Sequence, residues 1–202
     1  GVLMDSDRFT KTGPGSPSDL WTPVLGPSVL LNMEGADHAA LRRGRAPLFT
    51  PSTVDALVGE SLAQPLASMT ARLRAGERVD VVAEASGNAS AMISRLVGLP
   101  PGQVDEGLFG RLSAITRVVR LTRPRLTDGQ IAQARAVVAE LTAHARDAYR
   151  AGDESTVPGR MRALALGEDE AMGAVGAFVL TGTETLVSYL PRLAALLIDS
   201  GW

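Results

Sequence analysis

Apolar residues recur along most of this chain at three- and four-residue spacings, the period of a helix with one side turned inward. From Ala171 to Ile198 the apolar positions Met172, Val175, Phe178, Val179, Leu186, Leu190, Leu193, Leu196 and Leu197 predict a long helix buried on more than one side. Glu168-Asp169-Glu170 opens it with negative charge, where the helix dipole favours it. Upstream, Asp37 is a candidate cap for a helix to about Ala46, which Pro47 ends or bends. Thr50-Pro51 pairs a cap with a proline at the first helical position, and Val54, Leu57, Leu62, Leu66 and Met69 carry that helix to about Leu73, with a kink expected at Pro65. Ala75-Gly76 closes it.

The segment from Val79 to Leu99 reads as another apolar helix stopped by Pro100-Pro101, and Val104 to Val119 as a helix with a basic end. Thr127 and Gln130 have capping-box spacing and start a helix that places Ile131, Ala134, Val138, Leu141 and Ala145 on one face. Gly152 to Pro158 reads as a turn and Gly159 to Leu166 as a short helix. At the other end, Val2 to Phe9 fits a short helix. The glycine- and proline-rich residues 10–35 read as a long irregular loop without a helix, whose Trp21, Val24 and Leu25 are core plugs or pocket lining. The expected fold is therefore mainly α, one helical domain over residues 1–202, with hardly any strand and no internal repeat.

Within the last helix, Thr181-Gly182-Thr183-Glu184-Thr185 interrupts the apolar run. An unpaired buried hydroxyl costs about 1–3 kcal/mol and a charge more, so this stretch needs partners or water. Thr181 and Thr185 share a face, and Gly182 removes a side chain beside them at about 1 kcal/mol of helix propensity. Two readings follow: a kink with self-bonded threonines, or a groove that something approaches closely. A second constellation is His38-Ala39-Ala40-Leu41-Arg42, which puts an imidazole and a guanidinium on one helix face. That pair is either a two-pronged anion donor suited to carboxylate or phosphate, or a solvated face. Arg43 and Arg45 read as surface charges, a patch for an acidic partner.

Composition narrows the choice. Hydrophobic residues make up 45% and aromatics only 4% of the 202 residues, which points to a core of packed aliphatic helices. A formal charge of -2 offers no footprint for general nucleic-acid binding. With no cysteine, the chain has no disulfide, zinc-thiolate site, iron–sulfur cluster or cysteine nucleophile of its own, and two histidines, His38 and His144, supply protein-only metal sites poorly. The start lacks a signal-peptide pattern, Glu184 and Arg192 break the last helix as a membrane span, and the expected location is cytoplasmic. Gly1 begins in mid-pattern and Trp202 follows a long helix directly, so both ends read as cuts.

Other motifs fail. No glycine-rich phosphate loop follows a strand, and no His-Glu-x-x-His or persuasive Ser/His/Asp set exists. Asn88-Ala89-Ser90 matches a glycosylation sequon inside an apolar helix and reads as chance, His144 as a surface residue, and Arg117, Arg120, Arg123 and Arg125 as a solvated basic helix end.

Taken in order, these features resemble the cytochrome P450 family. Asp37-His38-Ala39-Ala40-Leu41-Arg42-Arg43, followed by Phe49-Thr50-Pro51, is similar to the family's helix C and the start of the next helix. Thr181-Gly182-Thr183-Glu184-Thr185 is similar to the oxygen-binding groove of its helix I, Val2 to Phe9 to its helix B, and Ile93 to Pro100 to the end of its helix E. The resemblance implies residues 10–35 as the B–C loop, 37–46 as helix C and 171–198 as helix I of the helix B to helix I portion of that fold.

It further implies a haem cofactor contacted by His38, Arg42, Thr181 and Gly182, with His38 and Arg42 on the propionates. Glu184 and Thr185 would be the catalytic proton relay, and Leu25, Phe178 and Thr181 would face an apolar small-molecule substrate, in a pocket drawing on Thr22 to Leu30, Leu108 to Leu121 and Phe178 to Thr185. The implied activity is a monooxygenase reaction with dioxygen and electrons from a ferredoxin-type partner. Thr181 stands where the family usually has alanine or glycine, Leu186 replaces a frequent second threonine, and Pro191 can kink the helix. The half of the family that bears the cysteine thiolate has no counterpart here, so the chain has no axial ligand of its own. The alternative is a haem-free relative that binds or activates a partner enzyme such as a glycosyltransferase.

Overall fold

A computed structural model describes residues 10–99, 110–111, 113–115 and 125–201, without the side chains of 182–184 and 186. Every regular element among them is helical. They are α1 (Pro17–Leu25), α2 (Gly35–Arg45), α3 (Pro51–Arg74), α4 (Val81–Leu96), α5 (Asp128–Ala151), α6 (Val157–Ala163) and α7 (Glu168–Asp199), with short 3-10 turns at Leu30–Asn32 and Ala46–Phe49. Residues 110–111 and 113–115 are also helical. The expected helix at 2–9, the Pro100-Pro101 stop, most of the 104–119 helix and Arg117, Arg120 and Arg123 lie outside the described residues.

Local signals set most boundaries. Thr50 accepts from the Thr53 N–H with Pro51 in the first turn, and Asp80 accepts from Val82 and Ala83. Thr127 and Gln130 form the reciprocal capping box, with bonds of 3.3 and 2.8 Å. The long helix opens similarly, Glu170 accepting from the Gly167 N–H at 2.9 Å. Its neighbour Glu168 takes Arg146 at 2.7 Å and Arg150 at 2.9 Å. α3 continues through Pro65 as one element.

Three expectations give way. The 10–35 loop contains α1, because Ser16 caps it and Pro17 pre-sets the first turn; the start signal outweighs the density of helix breakers around it. Residue 37 lies inside the first turn of α2, whose N-cap is Glu34, one turn earlier than expected. The short helix near 159–166 runs Val157–Ala163, started by the Thr156 cap. Leu166 N–H then reaches back to the Met161 carbonyl at 3.1 Å across Ala165, whose φ is 57°.

α7 is the axis of the core, running against α4 and α5, with α3 on α4, α6 on α5 and α1 on α5. Ile93, Val97, Met161, Val175 and Val179 are almost wholly excluded from solvent. Burial of α7 ends abruptly, however. Residues 171–176, 179 and 180 are buried, whereas no described residue after Leu180 is. The expectation of a helix buried on several sides as far as Leu197 therefore holds only for its first half. Leu196 is 64% and Ile198 78% exposed, because no described element covers that end.

Candidate functional site

α2 carries the first expected pair. His38 is half-buried and Arg42 exposed, one turn apart on the same face. Neither makes a hydrogen bond or ion pair among the described residues, so their donors are free for a ligand. Desolvation holds the His38 pKa below its usual value, helped by Lys11 and Arg42 and opposed by Glu34. A carboxylate arriving there would reverse that shift, since an opposite charge favours the imidazolium.

Arg45 corrects the expectation of a surface charge. It is only 2% exposed. Its Nη2 donates to the Glu170 carbonyl at 2.7 Å and to the Ser28 carbonyl at 3.4 Å, while Nε is buried without a partner. Burial pulls its pKa below the ordinary arginine value, partly offset by Glu170. The four-residue spacing from buried Leu41 was the available signal, because it puts Arg45 on the inward side of α2. Arg43 is exposed, as expected. The buried guanidinium thus ties α2 to the first turn of α7 and to the 26–29 loop.

The chain then turns through Ala46–Phe49 and brings Phe49 against Phe178, ring centroids 5.6 Å apart and planes at 85°. This edge-to-face contact joins the segment after α2 to the part of α7 directly before Thr181. Thr181 and Thr185 are both exposed. Thr181 Oγ1 donates to the Ala177 carbonyl at 2.7 Å and Thr185 Oγ1 to the Thr181 carbonyl at 2.9 Å. Each hydroxyl proton is thereby parked one turn back, while each oxygen keeps lone pairs to accept with. The helix stays one element through Gly182 and Pro191, and the side chain of Glu184 lies outside the described residues, as does the site role assigned to Gly182.

Leu25 belongs to the core. It is buried at 9% exposure and lines a cavity of about 380 Å³ with Ser28, Thr142, Met172 and Gly173. A Cβ placed on Gly176 would come within 2.9 Å of Leu25 Cδ2, so the 25–29 loop rests on the small residues of α7. Phe178 and Thr181 do not line that cavity, and the structure does not gather the three expected substrate residues around it. The 108–121 part of the expected substrate pocket lies outside the described residues, apart from 110–111 and 113–115.

The remaining motifs are quickly placed. Asn88 is buried inside α4, so the sequon offers no accessible amide. His144 is exposed on α5, and Arg125 is exposed 3.7 Å from Asp19. Among the described residues no group of histidine, aspartate and glutamate side chains could hold a metal, and no helix is long and apolar enough to cross a membrane. No family model matches the chain, and a search of curated proteins finds no match.

Proposed function

We propose that this chain forms the distal side of a haem-dependent monooxygenase of the cytochrome P450 kind, one that oxidises an apolar small molecule with dioxygen and electrons from a ferredoxin-type donor. The observation that carries the reading is the Phe49–Phe178 contact. It joins two motifs far apart in the chain, the His38/Arg42 segment and the Thr181–Thr185 stretch, through neighbouring side chains.

The residues fit the group in part. His38 and Arg42 offer free donors on one face, the chemistry that two carboxylates require. Phe49, 56% exposed, and Phe178 supply apolar surface, and the Thr181 and Thr185 hydroxyls follow directly along α7. Iron ligation is unmet: without cysteine the axial thiolate has to come from residues other than these. Bound haem supplies the one-electron and oxygen chemistry that no side chain here possesses. The chain's own part is narrower. His38 and Arg42 anchor, Phe178 excludes water, and Thr185 holds a proton at Oγ1, now given to the Thr181 carbonyl, that it can pass onward.

A haem-free auxiliary protein that docks on a partner enzyme, such as a glycosyltransferase, is the second reading. It is favoured by the exposed apolar end of α7, where Leu196, Leu197 and Ile198 face solvent, since a contiguous apolar patch marks a binding surface.

One spectrum separates the two. The full-length gene product containing this chain, reduced under carbon monoxide, is expected to show the long-wavelength Soret band of thiolate-bound haem. A product with no bound haem overturns the monooxygenase reading and favours the auxiliary one. Thr185→Ala is expected to keep haem while uncoupling oxygen consumption from product formation.

A further inference from the structure

The stripe of α2 that carries His38 and Arg42 begins at its N-cap with Glu34, again one turn away. That carboxylate is already in use. Glu34 Oε1 accepts from the Lys11 backbone N–H and Oε2 from Thr12 Oγ1 at 2.7 Å, which fastens residues 11–12 beside the start of the stripe. The Lys11 ammonium is left with a single carbonyl, that of Leu30 at 2.8 Å, and no ion pair among the described residues. It is exposed, and its one neutral acceptor is a weaker partner than an anion.

We infer that Lys11 is a third arm of the anion site on α2, swinging from the Leu30 carbonyl to a dianion, two carboxylates or a diphosphate, held by His38 and Arg42. This inference rests on reading α2 as a carboxylate-binding face and goes beyond it by adding a residue from a separate segment and a proton. Lys11, Arg42 and Glu34 are the charged groups that act on His38. Burial and the two cations lower its pKa, so a dianion that neutralises Lys11 and Arg42 favours the imidazolium. Binding is then coupled to proton uptake.

The test uses the 202-residue chain, in which His38 and His144 are the only histidines, so a His144→Gln variant assigns the His38 ring resonance. The probes are inorganic pyrophosphate, haem and haem dimethyl ester, and the variants are Lys11→Met and Lys11→Arg. Lys11→Met is expected to raise the His38 pKa and to weaken pyrophosphate about two- to fivefold, the worth of one exposed ion pair. Lys11→Arg restores both, and pyrophosphate raises the His38 pKa in the wild type. Haem is weakened by Lys11→Met and its dimethyl ester is not.

An unchanged His38 pKa or unchanged pyrophosphate affinity in Lys11→Met, or no pyrophosphate binding by the wild type, overturns the inference. So does equal weakening of haem and its ester, which leaves the haem reading intact. Lys11-dependent pyrophosphate binding without haem binding by this chain supports the third arm alone; the haem reading falls if the full-length product holds no haem, because the axial thiolate comes from residues other than these.

Discussion

The Phe49–Phe178 contact invites a double-mutant cycle, because it is the side-chain link between the two halves of the candidate site. With centroids 5.6 Å apart and planes at 85°, the edge of one ring meets the face of the other, an arrangement worth about 0.5–1.5 kcal/mol beyond area burial. Phe49 is 56% exposed, which places the expected coupling at the lower end, about 0.5–1 kcal/mol. Leucine is the right replacement at both positions, since it keeps an apolar group of similar reach and removes the ring. Phe178→Leu alone costs more than Phe49→Leu, because Phe178 also packs on the core formed by α7 and its neighbours. Urea unfolding of the wild type, both single variants and the double variant gives four free energies by linear extrapolation, and the cycle isolates the pair. The double variant should be less destabilised than the sum of the singles by that coupling. A coupling within about 0.3 kcal/mol of zero, the scatter for independent sites, refutes the contact and removes the observation on which the proposed function stands.

Three further outcomes follow from the fold. Gly159→Ala should lower stability by about 3 kcal/mol, a fall of about 6–12 °C in Tm, because the new methyl meets the backbone carbonyl of Asp153 rather than a yielding side chain; an unchanged melting curve contradicts that packing. Ala165→Gly should raise stability by about 0.5–1 kcal/mol, since a residue with a side chain at φ 57° carries a steric cost that glycine does not; a lower Tm contradicts it. Glu168 has its pKa held below the usual carboxylate value, first by its bond to Arg150 and then by that to Arg146, so its contribution is present above the unfolded pKa and lost as pH falls through the lower folded one. Thermal melts from about pH 6 down to about pH 3 should therefore fall less steeply for Glu168→Gln than for the wild type, and parallel curves contradict the ion pairs.

Some helix starts were legible because the signal is a side chain that satisfies a backbone group within three residues of itself. Thr50-Pro51, Thr127 with Gln130 and the acidic opening of α7 all behave as their local chemistry dictates. Two signals of the same kind were missed, at Ser16 and Thr156. Ser16-Pro17 was a start signal of the same kind, hidden by the glycines and prolines around it. In the candidate site, the one-turn spacing of His38 and Arg42 is a property of helix geometry and needs no partner to be read. Likewise the self-bonding of Thr181 and Thr185, one of two readings the sequence left open, runs between residues one turn apart.

What lies opposite a helix face is not encoded at that range. Arg45 and Arg43 are the same residue type two positions apart, yet one is buried under the first turn of α7 and the other is in water. The end of α7 has the apolar periodicity of a core helix, and Leu196, Leu197 and Ile198 still face solvent, because periodicity states which residues would be buried by a neighbour and not whether a neighbour is there. By itself, then, the sequence determined a mainly helical chain, the Thr50 and Thr127 caps and the spacing of the His38/Arg42 and Thr181/Thr185 pairs, all set by interactions within a turn or two. Only the tertiary structure decided that Arg45 is a buried tie, that Leu25 rests against Gly176 of α7, and that Phe49 meets Phe178. Those outcomes depend on which elements pack together, a matter of long-range burial that no local spacing records.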